Sequence, residues 1–195
     1  MIFLNMKRKF ILFIICACNL TIHAQTTCLS AYEASLLKQI NELRLSKKLP
    51  AVALSKSLTI VAQTHVNDLS VNNPVTKRCN LHSWSNKGRW TSCCYTEDHK
   101  KAECMWNKPR ELTNYKGNGY EIAFSTTNSS LSPVDFAKEA VESWINSPGH
   151  ISVILNKGIW KDIKWNAIGI GVANGYAVVW FGEKEDEEAK PLECK

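Results

Sequence analysis

The chain has no His-Glu-x-x-His, no Gly-x-Ser-x-Gly and no Cys-x-x-Cys. The first two absences remove the zinc-protease and nucleophile-elbow signatures, and the third argues against a zinc ribbon. No internal repeat and no second domain is visible along its 195 residues. The apolar run Phe10 to Ala17 is too short to span a bilayer unaided. With Lys7, Arg8 and Lys9 before it and Ile22-His23-Ala24 after it, residues 1–24 read as a secretory signal peptide cleaved before Gln25. The competing reading is a lipoprotein modified at Cys18, for which Ile15-Cys16-Ala17 is a poor lead-in. Strong positive charge is also missing. The formal +6 includes three basic and no acidic residues of the signal, so 6 − 3 leaves +3 on the mature chain. That balance, with the acidic run Glu183 to Glu188, argues against nucleic acid or an anionic membrane as partner.

What is present suits one exported domain. Apolar residues make up 45% of the chain, enough for a core. Removing the signal takes Cys16 and Cys18 and leaves Cys28, Cys79, Cys93, Cys94, Cys104 and Cys194. An even number in an exported chain predicts three disulfides, with the pairing left open. Adjacent Cys93 and Cys94 are expected to take different partners. The cluster from Cys79 to Cys104 is expected to be stapled locally, and Cys28 with Cys194 is a candidate tie between the ends.

Ser30-Ala31-Tyr32-Glu33 is a capping-box pattern. Leu29, Tyr32, Leu36, Ile40 and Leu43 then share one helical face, and Lys47-Lys48-Leu49-Pro50 ends the helix. A second helix is predicted from about Lys56 to Leu69, with Leu58, Val61, Ala62, His65, Val66 and Leu69 on its apolar face and Asn72-Asn73-Pro74 stopping it. Residues 75–118 lack periodicity and read as a long, cysteine-rich loop region. Gly119 to Phe124 reads as a strand. Ser132-Pro133 opens a helix burying Val134, Ala137, Val141 and Trp144. Ala167 to Ala173 and Tyr176 to Phe181 flank Asn174-Gly175, a type I′ hairpin signal. Gly169 and Gly171 fall on one face of the first of these strands, where another backbone can approach closely. Residues 183–195 form a charged tail, expected to be mobile up to a tether at Cys194.

Of the histidines, His65 reads as a hydrogen-bonded core residue and His99, among Glu97, Asp98, Lys100 and Lys101, as solvated. His82 in Leu81-His82-Ser83 and His150 in Ser147-Pro148-Gly149-His150 are the functional candidates. Pro148-Gly149 should break the preceding helix and aim His150 away from its packed face. Glu121, between Tyr120 and Ile122 in a predicted strand, is the third candidate, because strands deplete glutamate unless it meets water or a polar site.

These segments carry a resemblance. Leu81-His82-Ser83, Gly119-Tyr120-Glu121-Ile122-Ala123, Trp144-Ile145-Asn146-Ser147-Pro148-Gly149-His150 with Ile154-Leu155, and Ile168-Gly169-Ile170-Gly171-Val172 follow one another in the order of the CAP superfamily (cysteine-rich secretory proteins, antigen 5 and pathogenesis-related 1 proteins). The chain most resembles its bacterial SCP-like branch, over roughly residues 30–182, with the domain taken as 25–182. The resemblance implies an α+β fold, a three-layer α-β-α sandwich with a central antiparallel sheet. It also implies a cleft lined by His82, His150 and Glu121, in which the histidines can hold a divalent cation such as Zn²⁺. Two departures stand out. Tyr120 precedes and Ile122 follows the glutamate where the family often has Gly-Glu-Asn. The second glutamate of eukaryotic members, three residues after the tryptophan, is here Ser147. Glu142, two residues before Trp144, would lie about 200° around the helix from it.

Three functional readings follow. The first is an extracellular, monomeric binding module for a lipid, glycan or peptide, with Trp84, Trp90, Tyr95 and Trp106 either presenting flat apolar faces or packing over the disulfides. The second is a zinc-dependent hydrolase in which His82 and His150 hold the metal and Glu121 is the general base. The third is a purely structural hydrogen-bonded trio bracing the sheet.

Overall fold

A computed structural model describes residues 27–195; the expected signal peptide and the Cys18 alternative lie outside the described residues. After a short strand β1 (Cys28–Leu29) come helices α1 (Ala31–Ser46) and α2 (Lys56–Asn72). The capping box at Ser30 and Glu33 forms as expected, and Ser55 caps α2. Two short helices, α3 (Glu103–Trp106) and α4 (Lys108–Leu112), interrupt the cysteine-rich region. They were not expected, because elements of four and five residues are too short to show a period. Strand β2 (Tyr120–Ser125), helices α5 (Pro133–Ile145) and α6 (Pro148–Ile154), a 3₁₀ turn at Gly158–Trp160, the hairpin β3 (Ala167–Ala173) and β4 (Tyr176–Gly182), and a last strand β5 (Leu192–Glu193) complete the chain.

The sheet is antiparallel with order β2-β4-β3, and side-chain alternation assigns its two faces. Ile122, Phe124, Ile168, Ile170, Val179 and Phe181 pack with residues of α1, α5 and α6, among them Leu36, Ile40, Phe136 and Trp144. Ala123, Ala167, Val178 and Trp180 pack on the opposite face with Leu58, Val61, Ala62 and the disulfide region. This is the expected three-layer sandwich. On the second face a Cβ on Gly169 would lie 2.1 Å from the Leu58 backbone, and one on Gly171 would lie 2.4 Å from that of Ala62. Two strand residues advance about 6.7 Å and four helical residues about 6.0 Å. The two glycines therefore meet consecutive turns of α2, which can lie directly on the strand. Asn174 and Gly175 both have positive φ, as the type I′ turn requires.

The disulfides are Cys28–Cys194, Cys79–Cys94 and Cys93–Cys104. The first accompanies the parallel pairing of β1 with β5. Two expectations need correction. Val134, placed on the buried face of α5, is 61% exposed, and Phe136 and Ala140 take its place. The charged tail is held by specific bonds, contrary to the mobility expected of it. Asp186 accepts hydrogen bonds from the Ser57 amide and from the Ser55 and Ser57 hydroxyls at the start of α2, and Tyr115 donates its hydroxyl proton to the Lys184 carbonyl.

Candidate functional site

The alternation that sends Ile122 to the α1–α5 side sends Glu121 to the α2 side, where an unpaired buried carboxylate would carry a heavy desolvation penalty. It is met there by two histidines. His65, on the buried stripe of α2, places Nδ1 2.5 Å from Glu121 Oε2, and His82 places Nδ1 2.7 Å from Oε1. The side chains of His65 and Glu121 are fully buried. The Nε2 of His65 lies 3.0 Å from the Ser83 carbonyl oxygen. That oxygen can only accept, so Nε2 carries hydrogen. A second hydrogen must then lie between Nδ1 and Oε2, or two lone pairs would face one another. Burial pushes the Glu121 carboxyl upward. The charge of His65 and the hydrogen bonds from His65 and His82 outweigh this and hold it below the usual carboxylate range.

The segment carrying His82 is clamped from several sides. Asn80 Oδ1 accepts from the His82 amide, and Ser83 and Tyr95 are joined through the Ser83 hydroxyl. Trp84 and Cys93 exchange backbone hydrogen bonds beside the two local disulfides. Asp68 of α2 accepts from both the amide and the hydroxyl of Ser85. The Trp84 ring stacks on His65 with centroids 4.2 Å apart and planes 7° apart, which fixes the tilt of the imidazole. With Nδ1 of His82 bonded to Glu121, its Nε2 has no hydrogen-bond partner among the described residues.

His150 completes the groove by a route the sequence reading missed. Pro148 ends the approach from α5 and also begins α6, with Ser147 at the N-cap position and His150 third in the new helix. The His82 and His150 rings are 6.4 Å apart at 54°. Burial, followed by the charge of His82, lowers His150 to about 4, against the opposing pull of Glu121, so at neutral pH its ring is uncharged. Tyr95 packs edge-on to His82, and its hydroxyl lies 2.9 Å from His99 Nδ1. Burial and the Glu121 charge raise the Tyr95 hydroxyl above its ordinary value, so it stays protonated. His82, His99, His150, Glu97 and Ala123 line a groove of about 310 Å³.

The fold thus brings His82, Glu121 and His150 together, with Glu121 beneath the groove rather than lining it. Two members were unforeseen. His65 is the core histidine expected, yet it is also the second partner of Glu121, and exposed His99 lies on the rim. Glu142 stands apart, on the surface beside Lys138. Of the aromatics, Trp84 and Tyr95 are packed inside, and Trp90 and Trp106 are half-buried.

The arrangement does not fit the expected zinc centre as it stands. With a Zn–N bond of about 2.1 Å and about 1.1 Å from ring nitrogen to ring centre, two tetrahedral imidazole ligands have centres about 5.2 Å apart. The observed separation is wider by about 1.2 Å. Glu121 is fully buried with a histidine on each oxygen, and among the described residues no group of three or more His, Cys, Asp or Glu side chains is placed to hold a metal ion.

The family model described as the cysteine-rich secretory protein family, CAP, matches residues 37–179. The chain belongs to the CAP family. Among solved structures, it is similar to an extracellular protein containing an SCP domain from Bacillus anthracis, with TM-score 0.53 and 19% identity over 78% of this chain. The match spans only 40% of the Bacillus chain. It is also similar to an outer surface protein from Borrelia burgdorferi, with TM-score 0.52 and 18% identity over 79% of this chain and 93% of the other. At these identities the likeness is one of fold. No curated protein matches the sequence.

Proposed function

We propose that this CAP domain is an exported, monomeric interaction module whose histidine groove takes an extracellular lipid, glycan or peptide. Three disulfides support export to an oxidising compartment, and no helix among the described residues is long and apolar enough to cross a membrane. The observation that carries the reading is the buried His65–Glu121–His82 chain. It fixes the orientation of His82 and leaves its Nε2 without a hydrogen-bond partner among the described residues, beside an uncharged His150. Such a pair is a preorganised hydrogen-bonding edge, and Ala123 adds apolar lining to the same groove.

The test is a panel of extracellular lipids, glycans and peptides screened against the wild-type protein and against His82→Ala and His150→Ala. Ligands held by the groove lose affinity in both variants; a hit indifferent to both sinks the assignment. Zinc titration of the same three proteins examines the cation reading, which requires the two rings to close toward one another. The hydrolase reading survives only if peptide or ester turnover exceeds that of Glu121→Ala. A bracing role alone leaves every assay blank.

A further inference from the structure

The larger cavity lies elsewhere. About 1040 Å³ of space opens at the far end of β2, between the start of α1, the β2–α5 loop and the β3–β4 turn. None of its fourteen lining residues is charged. In a chain that is 22% charged, with charges concentrated outside, a random surface of that size would carry about three. The walls are hydroxyls and amides, including Thr127, Ser129 and Asn174, with the half-buried rings of Tyr32 and Tyr176 and the edge of Phe136 among them.

From this geometry we propose that the cavity is a subsite for a neutral saccharide, separate from the histidine groove. Without a cation it has no countercharge for a phosphate, sulfate or carboxylate. Without a carboxylate it has no countercharge for an amine or a metal ion. Its many side-chain hydroxyls and amides would be left dry and unpaired by a hydrocarbon chain. A sugar satisfies both surfaces at once, its hydroxyls pairing with the serine, threonine and asparagine groups and its C–H face lying on tyrosine. The walls are also set in advance. The Thr126 amide bonds the Gly175 carbonyl at 2.9 Å, the Tyr32 hydroxyl bonds the Leu131 carbonyl at 2.9 Å, and Asn128 Oδ1 accepts from the amide and hydroxyl of Ser130. Little loop ordering is then left to oppose binding. Thr127, Ser129 and Asn174 have no side-chain hydrogen bond within the described residues, so their polar groups stand ready for a ligand.

The experiment is isothermal titration with maltohexaose, cellohexaose, chitohexaose and a mannan oligosaccharide, alongside a sialylated and a sulfated oligosaccharide as charged controls. At least one neutral probe should bind, and the charged ones at least tenfold more weakly. Tyr176→Ala should weaken the positive probe at least tenfold. Because Tyr176 also begins β4, Ser129→Arg serves as a second variant that blocks the cavity from an exposed loop and leaves the core alone. His150→Ala should bind the probe unchanged, which separates this subsite from the histidine groove. The inference is overturned if no neutral probe binds, if charged probes bind as well as neutral ones, or if Ser129→Arg binds as wild type. It is equally overturned if binding disappears in His150→Ala and persists in Tyr176→Ala, a result that would assign the sugar to the groove.

Discussion

Lowering the pH should weaken this fold through one identifiable ring. His150 takes up a proton near pH 4 in the folded protein against an ordinary value of 6.5. The unfolded chain therefore binds that proton first as pH falls. The contribution of His150 to stability is complete above about 6.5, declines between 6.5 and about 4, and is constant below. A difference of 2.5 pH units (6.5 − 4) sets a ceiling of about 3.4 kcal/mol. The ring edges a groove and is partly wet, so screening reduces the expected loss to about 1–2 kcal/mol. Urea unfolding of wild type and of His150→Gln, followed by circular dichroism at pH 7.5, 6.5, 5.5 and 4.5, isolates the term because both proteins share every other histidine. Wild type should lose about 1–2 kcal/mol more than the variant across that range. Glu121, held below its ordinary value, contributes stability that is present above the unfolded carboxyl value and is lost only as pH falls through the lower folded one, so its loss belongs to a more acidic window. Parallel stability profiles for the two proteins would refute the reasoning about His150.

Three further outcomes follow from the packing. Glu121→Ala leaves Nδ1 of buried His65 and of half-buried His82 without a partner and should cost about 3–5 kcal/mol in denaturant melts; a loss below about 1 kcal/mol would show that the chain of bonds is not structural. Gly171→Val drives a branched side chain into the backbone of α2 and should lower stability by at least about 1–3 kcal/mol, measured as a fall in Tm. Paired Cys28→Ser and Cys194→Ser opens a link spanning 166 residues, with a chain-entropy ceiling of about 5 kcal/mol; unfolding midpoints unchanged from wild type would place the stabilisation elsewhere.

Much of the fold was readable because its signals are local. The α2 stripe, the Asn174-Gly175 turn and the glycines at 169 and 171 each follow from backbone chemistry within a few residues. The even cysteine count limited the disulfides in the same local way. The groove was only partly readable. Periodicity placed His65 inside, but no periodicity says that its neighbour will be Glu121, 56 positions away. Pro148 illustrates a different ambiguity. A proline can end one helix and open the next, and the useful signal was Ser147 before it, at the N-cap position. The tail misled for a third reason. Its acidic composition resembles a solvated segment, and only the folded chain shows that Asp186 meets three donors at the start of a helix.

The pairing of β1 with β5 has a practical corollary. Cys28 and Cys194 have Cα atoms 5.0 Å apart, and Ser30, two residues on, borders the uncharged cavity. The two ends of the disulfide-tied domain therefore meet at one spot close to that cavity. A bulky group placed beside that link would crowd a sugar entering the cavity, so the disulfide that ties the domain also sets which side of it a ligand can approach.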